Sequence, residues 1–201
     1  FYTGLYHALI HPNVLSDVNG EYPAMESAEI RTAEGNRYTV FSLWDTYRNL
    51  HQLLTLVYPE RQLEMVRSMV GMYREWGWLP KWELYGRETF TMEGDPSIPV
   101  IVDTWMKGLR DFDMDAAYEA MRKSATTPGA RNRMRPDIDP YIEKGYVPLG
   151  FYARDLSGDN SVSHALEYYI ADHALSLLAD SLGKKDDAAL FRARSLGYKN
   201  Y

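Results

Sequence analysis

The sequence predicts an all-α fold in which helix pairs stack around a common axis, as in an α/α toroid. Apolar residues recur at three- and four-residue steps through several segments, and long connections at 77–98 and 125–160 separate these segments. The order helix, long loop, helix, short turn, helix then repeats, without any exact sequence repeat. In such folds the long connections at one end of the helix pairs carry the functional site.

Helical periodicity begins after an irregular N-terminal segment, residues 1–40, which is rich in turn signals. A short strand is expected at 38–41. The first helix is predicted at about 43–58, and the second at about 59–76, where Pro59 suits the first helical position and Glu60 the first turn. Later helices are predicted at 99–109, 113–124, 161–182 and 186–196.

Helix boundaries in the second half are marked by individual residues. Asp113 is a credible N-cap of its helix, Ser163 is a possible cap, and Gly183 is a natural stop. The helix at 161–182 has one apolar face, formed by Leu166, Tyr169, Ile170, His173, Ala174, Leu177 and Leu178. Because it lies on this face, His173 is expected to be a core histidine.

Composition limits the class of protein. The chain has 201 residues, 45% of them hydrophobic and 25% charged, which suits one globular domain or part of a larger one. A net charge of −6 argues against nucleic-acid binding, and no apolar run is long enough to predict a membrane span. The absence of cysteine excludes a thiol nucleophile and a zinc–thiolate site. Because neither end resembles a natural terminus, we expect a fragment of a longer protein.

The most informative motif is Trp44-Asp45-Thr46-Tyr47-Arg48 near the start of the first helix. Asp45 and Arg48 are three residues apart and share a helix face. They form either a local ion pair or a carboxylate and guanidinium that hold sugar hydroxyls. The neighbouring aromatic rings favour the second interpretation, because rings cover the apolar face of a sugar.

A second cluster lies in the loop after the second helix. Trp76, Trp78 and Trp82 fall within seven residues, around a glycine and a proline. Trp82 is the best candidate to line a cleft, because Glu83 follows it, whereas Trp76 ends an apolar stripe. Carboxylates follow at Glu83, Glu88, Glu93, Asp95 and Asp103. Their spacing matches no calcium loop, and acidic loop residues are often only solvated.

Several longer motifs resemble those of glycoside hydrolase family 92. They lie at 41–48, 80–84, 92–95, 99–103, 145–148 and 161–168, and together they cover almost the whole chain. The resemblance implies an exo-acting, inverting, calcium-dependent α-mannosidase, secreted or periplasmic, that acts on α-mannose-terminated glycans. It also implies an N-terminal β-sandwich followed by an (α/α)6 barrel. Residues 1–40 would lead into that catalytic domain, and 41–201 would form its first helix pairs.

The resemblance also assigns residues. The mannose pocket of the family maps to Asp45, Arg48, Trp82 and Glu83 here, with Trp44, Asp95 and Asp103 as further substrate-binding candidates. The family's general-acid and general-base motifs do not occur in this sequence. No catalytic residue or metal ligand is therefore assigned, the calcium ligands are expected outside this chain, and the chain alone is expected to be inactive. Incomplete helix pairing predicts exposed apolar surface on 161–196.

Two alternatives remain open at this point. The chain is compatible with another α/α carbohydrate-active enzyme, such as a trehalase, a glucoamylase-like enzyme or a sugar epimerase. It is also compatible with a non-catalytic helical module that binds glycan through the tryptophan loop. The coding sequence on either side would discriminate among these hypotheses.

Overall fold

A computed structural model describes residues 1–150 and 160–201 of the chain. The helices, in chain order, are α1 (Tyr2–Ala8), α2 (Leu43–Thr46), α3 (Leu50–Val57), α4 (Pro59–Trp76), α5 (Ser97–Met106), α6 (Met114–Thr126), α7 (Ile138–Lys144), α8 (Ser161–Ser181) and α9 (Lys185–Arg194), followed by a 3₁₀ turn at Gly197–Asn200. The strands are β1 (Asn13–Val14), β2 (Glu21–Pro23), β3 (Ile30–Thr32), β4 (Tyr38–Thr39), β5 (Phe41–Ser42), β6 (Trp82–Leu84) and β7 (Arg87–Glu88).

The core lies among helices α4, α5, α6 and α8. Methionine and small or branched aliphatic side chains fill it. The fully buried members include Met65, Val66, Met69, Met72, Val100, Ile101, Ala117, Met121, Leu175 and Leu178. The mostly helical architecture agrees with the predicted fold class, and its helix pairs supply the kind of unit from which a toroid is built.

Three small antiparallel sheets accompany the helices. β1 pairs with β4, β2 with β3, and β5 with β6, which also pairs with β7. The predicted strand at 38–41 is interrupted, because Val40 adopts a left-handed conformation with φ of 62° between β4 and β5. The hairpin of β6 and β7 and helix α1 were not predicted, so residues 1–40 and 77–98 contain more regular structure than expected.

The local signals at helix ends are largely confirmed. α4 begins at Pro59 and ends before Gly77, whose φ of 95° is left-handed. The Asp113 side chain caps α6 by accepting from the backbone N–H of Ala116 at 2.9 Å. Ser163 is not the N-cap of α8, because the helix begins at Ser161 after Asn160. α7 was not predicted within the connection at 125–160, of which 151–159 lie outside the described residues.

The predicted first helix is divided into α2 and α3. The backbone leaves the helical path at Asn49, where φ is −159°. Gln52 of α3 donates from its side-chain amide to the carbonyl of Tyr47 at 2.7 Å. This side-chain bond satisfies a carbonyl that would otherwise continue the helix, so a local side-chain contact overrides the apolar period.

α8 is apolar on two faces. One face is buried, with Leu175 and Leu178 in the main core and Tyr168 against Tyr141 of α7. The predicted stripe instead lies partly on the other face, where Leu166, Ile170 and Leu177 are exposed. The prediction of exposed apolar surface on 161–196 is therefore confirmed. The prediction that His173 is a core histidine is wrong, because His173 lies on this exposed face beside Arg192.

Among the helices formed by residues 1–150 and 160–201, none has the length and apolar character needed to cross a membrane.

Candidate functional site

α2 begins where β5 ends, and it carries the first part of the Trp-Asp-Thr-Tyr-Arg sequence. Ser42, the last residue of β5, pairs with Trp82 of β6, so the small sheet determines where the helix starts. Trp44 and Asp45 lie within the single turn of α2, and Arg48 follows shortly after it. These three predicted site residues therefore share one short segment, residues 44–48, which we call the 44–48 turn.

The guanidinium of Arg48 is held between aromatic faces and a carboxylate. Its Cζ atom lies 4.4 Å from the ring centroid of Trp44 and 4.9 Å from that of Tyr47. Nη2 donates to Oε1 of Glu167 at 3.1 Å, and Nη1 donates to the Tyr47 hydroxyl at 3.2 Å. Because the side chain is still 45% exposed, the planar fork keeps N–H donors available to a ligand.

Glu167 of α8 completes this cluster and was not among the predicted site residues. Its other oxygen, Oε2, accepts from the Tyr47 hydroxyl at 2.7 Å, and its side chain is only 12% exposed. Burial, together with the hydrogen bond to Glu167, raises the pKa of Tyr47, so the phenol remains a neutral donor. The sequence signal for Glu167 was its place in the family motif at 161–168, but periodicity alone does not show which charged residue of a helix faces a distant turn.

Gly94 provides the space that Glu167 occupies. A Cβ atom on Gly94 would lie 2.5 Å from the Cβ atom of Glu167, and Gly94 has a φ of +82°. Both observations exclude a larger residue without displacement of α8 or the loop. The loop that contains the predicted site residue Asp95 is therefore fitted against the 44–48 turn through Glu167.

Asp45 points away from the Arg48 cluster. Its carboxylate is exposed and accepts a hydrogen bond from the hydroxyl of Ser42, while the carboxylate that pairs with Arg48 is Glu167. Asp45 lines an open cleft of about 550 Å³ together with His7, His11 and other residues of the N-terminal segment and α3. The Asp45 carboxylate and the Arg48 guanidinium thus lie at two adjacent surfaces and do not form the local ion pair.

Glu83 is fully buried, and its carboxylate binds the chain's own backbone. It accepts from the Thr39 hydroxyl at 2.8 Å, from the Val40 N–H at 3.0 Å and from the Gly86 N–H at 2.5 Å. Burial raises the pKa of Glu83, and the bonds from Gly86 and Thr39 oppose that rise. The carboxylate of Glu83 thus binds the segment around the left-handed Val40 that precedes β5, and its sugar contact stays a prediction.

Trp82 is half-buried beside this carboxylate. Through its strand pairing with Ser42 it lies next to the start of the 44–48 turn. Within the described residues, the indole N–H groups of Trp82 and Trp44 are buried without a hydrogen-bond partner. Of the predicted tryptophan loop, Trp82 is therefore the member that the sheet brings to the site, while Trp76 packs against the core as expected.

The remaining two candidates lie in structural ion pairs. Asp95 is buried and accepts from Nε of Arg135 at 3.0 Å and from the Ser124 hydroxyl at 2.6 Å. Asp103 pairs with Lys107 one turn along α5, at 2.7 Å. Arg135 also pairs with Asp172 of α8 at 2.7 Å. Asp95 therefore has buried structural partners, whereas Asp103 pairs with Lys107 at the partly exposed helix surface, and the sugar contacts of both residues stay predictions.

The described residues do not fit a calcium site. Across residues 1–150 and 160–201, no group of three or more histidine, aspartate or glutamate side chains is arranged to hold a metal ion. Calcium needs several oxygen ligands around one position. No chemical step is therefore assigned to calcium here.

The fold and the 44–48 turn together define a class of protein. A helical domain that presents tryptophan faces, a guanidinium and carboxylates at one surface has the groups that bind a sugar ring and its hydroxyls. This is the class of carbohydrate-active enzymes built on paired helices.

Comparison with known proteins identifies the family within that class. The family model described as the glycosyl hydrolase family 92 catalytic domain matches residues 1–201. The chain is 38% identical to the family GH92 α-mannosidase BT3965 from Bacteroides thetaiotaomicron, with a TM-score of 0.87 over 99% of this chain and 26% of that one. BT3965 has also been solved in complex with mannoimidazole.

Two further relatives agree. The inverting mannosidase BT2199, also from Bacteroides thetaiotaomicron, is 31% identical with a TM-score of 0.88 and is matched over 100% of this chain and 27% of its own length. An uncharacterized secreted glycosidase of Arthroderma benhamiae is 27% identical over 93% of this chain and 20% of its own length. The chain belongs to glycosyl hydrolase family 92 and spans about a quarter of its solved relatives.

Proposed function

We propose that this chain is part of the catalytic domain of an exo-acting α-mannosidase, of the α-1,2 type, that releases terminal mannose from glycans with inversion. The observation that carries the proposal is 38% identity to an α-mannosidase over 99% of the chain. The Arg48 cluster supports it, because the exposed guanidinium lies between tryptophan, tyrosine and glutamate side chains.

The 44–48 turn would position the sugar and not cleave it. In this proposal Arg48 donates to adjacent hydroxyls, Trp44 covers an apolar face and Asp45 accepts from a hydroxyl on the cleft side. Trp82 lies at the edge of the proposed sugar site, next to β5. Glu167 keeps the guanidinium of Arg48 oriented, so the fork is held before the sugar arrives. Glu83, Asp95 and Asp103 would support the surrounding loops.

The acid and base would come from the rest of the parent protein. An inverting glycosidase needs two carboxyl groups about 6.5–9.5 Å apart, one for the leaving oxygen and one for the attacking water. The family's motifs for both are expected beyond this chain, as are the calcium ligands. The 201 residues alone are therefore expected to be inactive.

The remaining chain would also complete the fold. Residues 1–40 would lead into the catalytic domain and 41–201 would form its first helix pairs, with later helices closing an (α/α)6 barrel. The exposed apolar face of α8, with Leu166, Ile170 and Leu177, gives those helices a surface to cover. A secreted or periplasmic location is proposed because a relative is described as a secreted glycosidase.

The test uses the full-length protein with α-1,2-, α-1,3- and α-1,6-linked mannobioses, in calcium and after chelation. We expect calcium-dependent release of mannose, fastest from the α-1,2 linkage, with the β-anomer as first product by NMR. Replacement Arg48→Lys should lower kcat/KM roughly tenfold to a hundredfold, because lysine lacks the planar fork. Arg31→Lys is the matched control, an exposed arginine that pairs with Glu29 away from the turn.

Failure to release mannose from any of these substrates in calcium would overturn the proposal. Release with retention would contradict inversion alone, and a preference for another linkage would contradict the α-1,2 type alone. Mannose binding without hydrolysis by the full-length protein would favour the non-catalytic glycan-binding module.

A further inference from the structure

A buried histidine lies behind the 44–48 turn and takes no part in the proposed sugar contacts. His51, at the start of α3, is fully buried. Its Nε2 atom is 3.0 Å from the hydroxyl of Thr46, and its Nδ1 atom is 2.9 Å from Oε1 of Gln62 on α4. Gln62 in turn donates to the Thr104 hydroxyl on α5 at 3.0 Å. A continuous line of hydrogen bonds therefore joins α5 and α4 to the turn.

The donor and the acceptor of each hydrogen bond can be assigned by starting from Thr104 on α5. The Thr104 hydroxyl donates to the carbonyl of Val100 at 2.8 Å, so it accepts from the amide nitrogen of Gln62. The carbonyl oxygen of Gln62 then faces His51 and requires Nδ1 to carry the proton. Nε2 is left as an acceptor, and the hydroxyl of Thr46 must donate to it. Burial lowers the pKa of His51 to about 4, in keeping with this neutral form.

Two consecutive side chains of α3 form hydrogen bonds with the 44–48 turn. His51 accepts from the side chain of Thr46, and Gln52 donates to the backbone carbonyl of Tyr47 at 2.7 Å. Thr46 and Tyr47 are the two residues between Asp45 and Arg48. When both of them are held, the backbone between Asp45 and Arg48 has little conformational freedom. The hydrogen bonds from α3 therefore determine the direction in which these two side chains leave the backbone.

We propose that His51 is a positioning residue, which in its neutral form with the proton on Nδ1 holds Thr46 and thereby sets the orientation of Asp45 and Arg48 for the sugar. This inference rests on the proposed function for its sugar-binding consequence. Its structural part, the orientation of Arg48 against Glu167, stands without it. His51 itself does not touch the substrate.

Two replacements of His51 separate its hydrogen bond to Thr46 from its hydrogen bond to Gln62. In His51→Gln the side-chain oxygen can reach the place of Nε2 and accept from Thr46, while the bond to Gln62 is lost. In His51→Asn the shorter amide can reach the place of Nδ1 and donate to Gln62, while the bond to Thr46 is lost. Thr46→Val removes the same bond from the other side.

The matched control is Thr55→Val in the same helix. Thr55 is buried, and its hydroxyl donates to the carbonyl of Gln52 at 2.7 Å, with no bond to the turn. It therefore costs a comparable hydrogen bond in α3 without loosening Thr46. All variants are made in the full-length protein.

Affinity for mannoimidazole and the separate kcat and KM values are the functional readouts. His51→Asn and Thr46→Val should each weaken binding roughly tenfold and should not be additive when combined. His51→Gln should restore binding to within about threefold of the wild-type protein, and Thr55→Val should leave it unchanged. Equal losses in His51→Gln and His51→Asn, or additive losses in the double variant, would overturn the proposal.

Crystal structures of the same variants provide a second readout that does not depend on sugar binding. In His51→Asn and Thr46→Val the Arg48–Glu167 contact should be lost, whereas His51→Gln and Thr55→Val should retain it. An unchanged contact in all four variants overturns the inference even if the enzyme is an α-mannosidase. If the wild-type protein does not bind mannoimidazole but the contact moves as described, the proposed function fails and the positioning role stands.

Discussion

Tyr47 and Glu167 lie 120 residues apart in the chain, and the hydroxyl of one donates to the carboxylate of the other at 2.7 Å. This bond joins the 44–48 turn to α8, and the same carboxylate holds Arg48. A residue far away in sequence therefore helps to hold the guanidinium in its orientation. Any variant that removes Glu167 should affect the surface of the turn more than the stability of the fold.

The first prediction concerns Glu167→Gln. The amide oxygen can still accept from Tyr47, but the charge opposite Arg48 is lost. Because Arg48 is 45% exposed, solvent screens the pair and the cost in stability should be below about 1 kcal/mol. Affinity for mannoimidazole should fall about fivefold, measured by calorimetry on the full-length protein, because the fork is no longer held in place.

Glu29→Gln is the control for that measurement. It neutralises a glutamate that also pairs with an arginine, Arg31, but is more exposed than Glu167 and lies between β2 and β3. Equal affinities of Glu167→Gln and wild-type protein would contradict the positioning role of Glu167.

The second prediction uses two glycines with nearly the same backbone conformation. Gly94 has φ of +82° and Gly108 has φ of +88°, but of the two only Gly94 would bring an added Cβ atom against a close neighbour, the Cβ atom of Glu167 at 2.5 Å. Gly108→Ala should cost about 1 kcal/mol for the left-handed conformation alone. Gly94→Ala should cost about 3 kcal/mol, because overpacking is added to the same strain.

The measurement is the free energy of unfolding by urea for both variants. The difference between them isolates the contact with Glu167. Equal costs would show that the loop and α8 separate easily and that Gly94 does not determine their distance.

The third prediction separates structural carboxylates from sugar-binding ones. Asp95→Asn leaves the buried guanidinium of Arg135 with one carboxylate fewer and should destabilise the protein by about 3–5 kcal/mol. Asp103→Asn removes only a partly exposed pair with Lys107 and should cost less than about 1 kcal/mol. Thermal unfolding ranks the two variants.

Both variants should bind mannoimidazole with wild-type affinity at a temperature where they are folded. A loss of affinity in Asp103→Asn, with unchanged stability, would support the substrate-binding role that the family resemblance implies for Asp103. Such a loss in folded Asp95→Asn would do the same for Asp95.

Sequence reasoning succeeded where local signals decide the structure. Pro59 and Gly77 bound α4, and Asp113 caps α6, because each effect acts within one turn of the chain. It also located the 44–48 turn, whose residue types are unusual at a helix start. It failed where distant contacts decide. The partner of Arg48 comes from α8, 119 residues away. The apolar period also does not reveal the local bond from the Gln52 side chain to the Tyr47 carbonyl at the break between α2 and α3.

The same limit applies to the surroundings of single residues. Glu83 follows a tryptophan in an acidic loop, which favoured a sugar contact, yet strand pairing turns it toward Thr39 and Val40. His173 lies on an apolar stripe, but α8 has two such stripes and the other one faces the core. Periodicity finds an apolar face without saying which neighbour covers it.

The last prediction follows from the neutral form of His51. Burial lowers its pKa from 6.5 to about 4, while the hydrogen bond to Gln62 and the charge of Asp103 only partly oppose this effect. Between those two values the unfolded chain binds a proton that the folded protein does not. Stability is therefore full above about pH 6.5 and falls as the pH decreases toward 4, by up to about 3 kcal/mol in total from this group.

His51→Asn should remove this contribution, so the free energy of unfolding should depend less steeply on pH between about 4 and 6.5. Thr55→Val, which removes a buried hydrogen bond of α3 but no titratable group, should leave the slope as in the wild-type protein. The comparison uses urea unfolding at several pH values and depends on the slope alone, so a lower overall stability of His51→Asn does not affect it. Identical slopes in His51→Asn and wild-type protein would show that His51 is protonated in the folded state, and Nε2 would then be a donor that Thr46 accepts from.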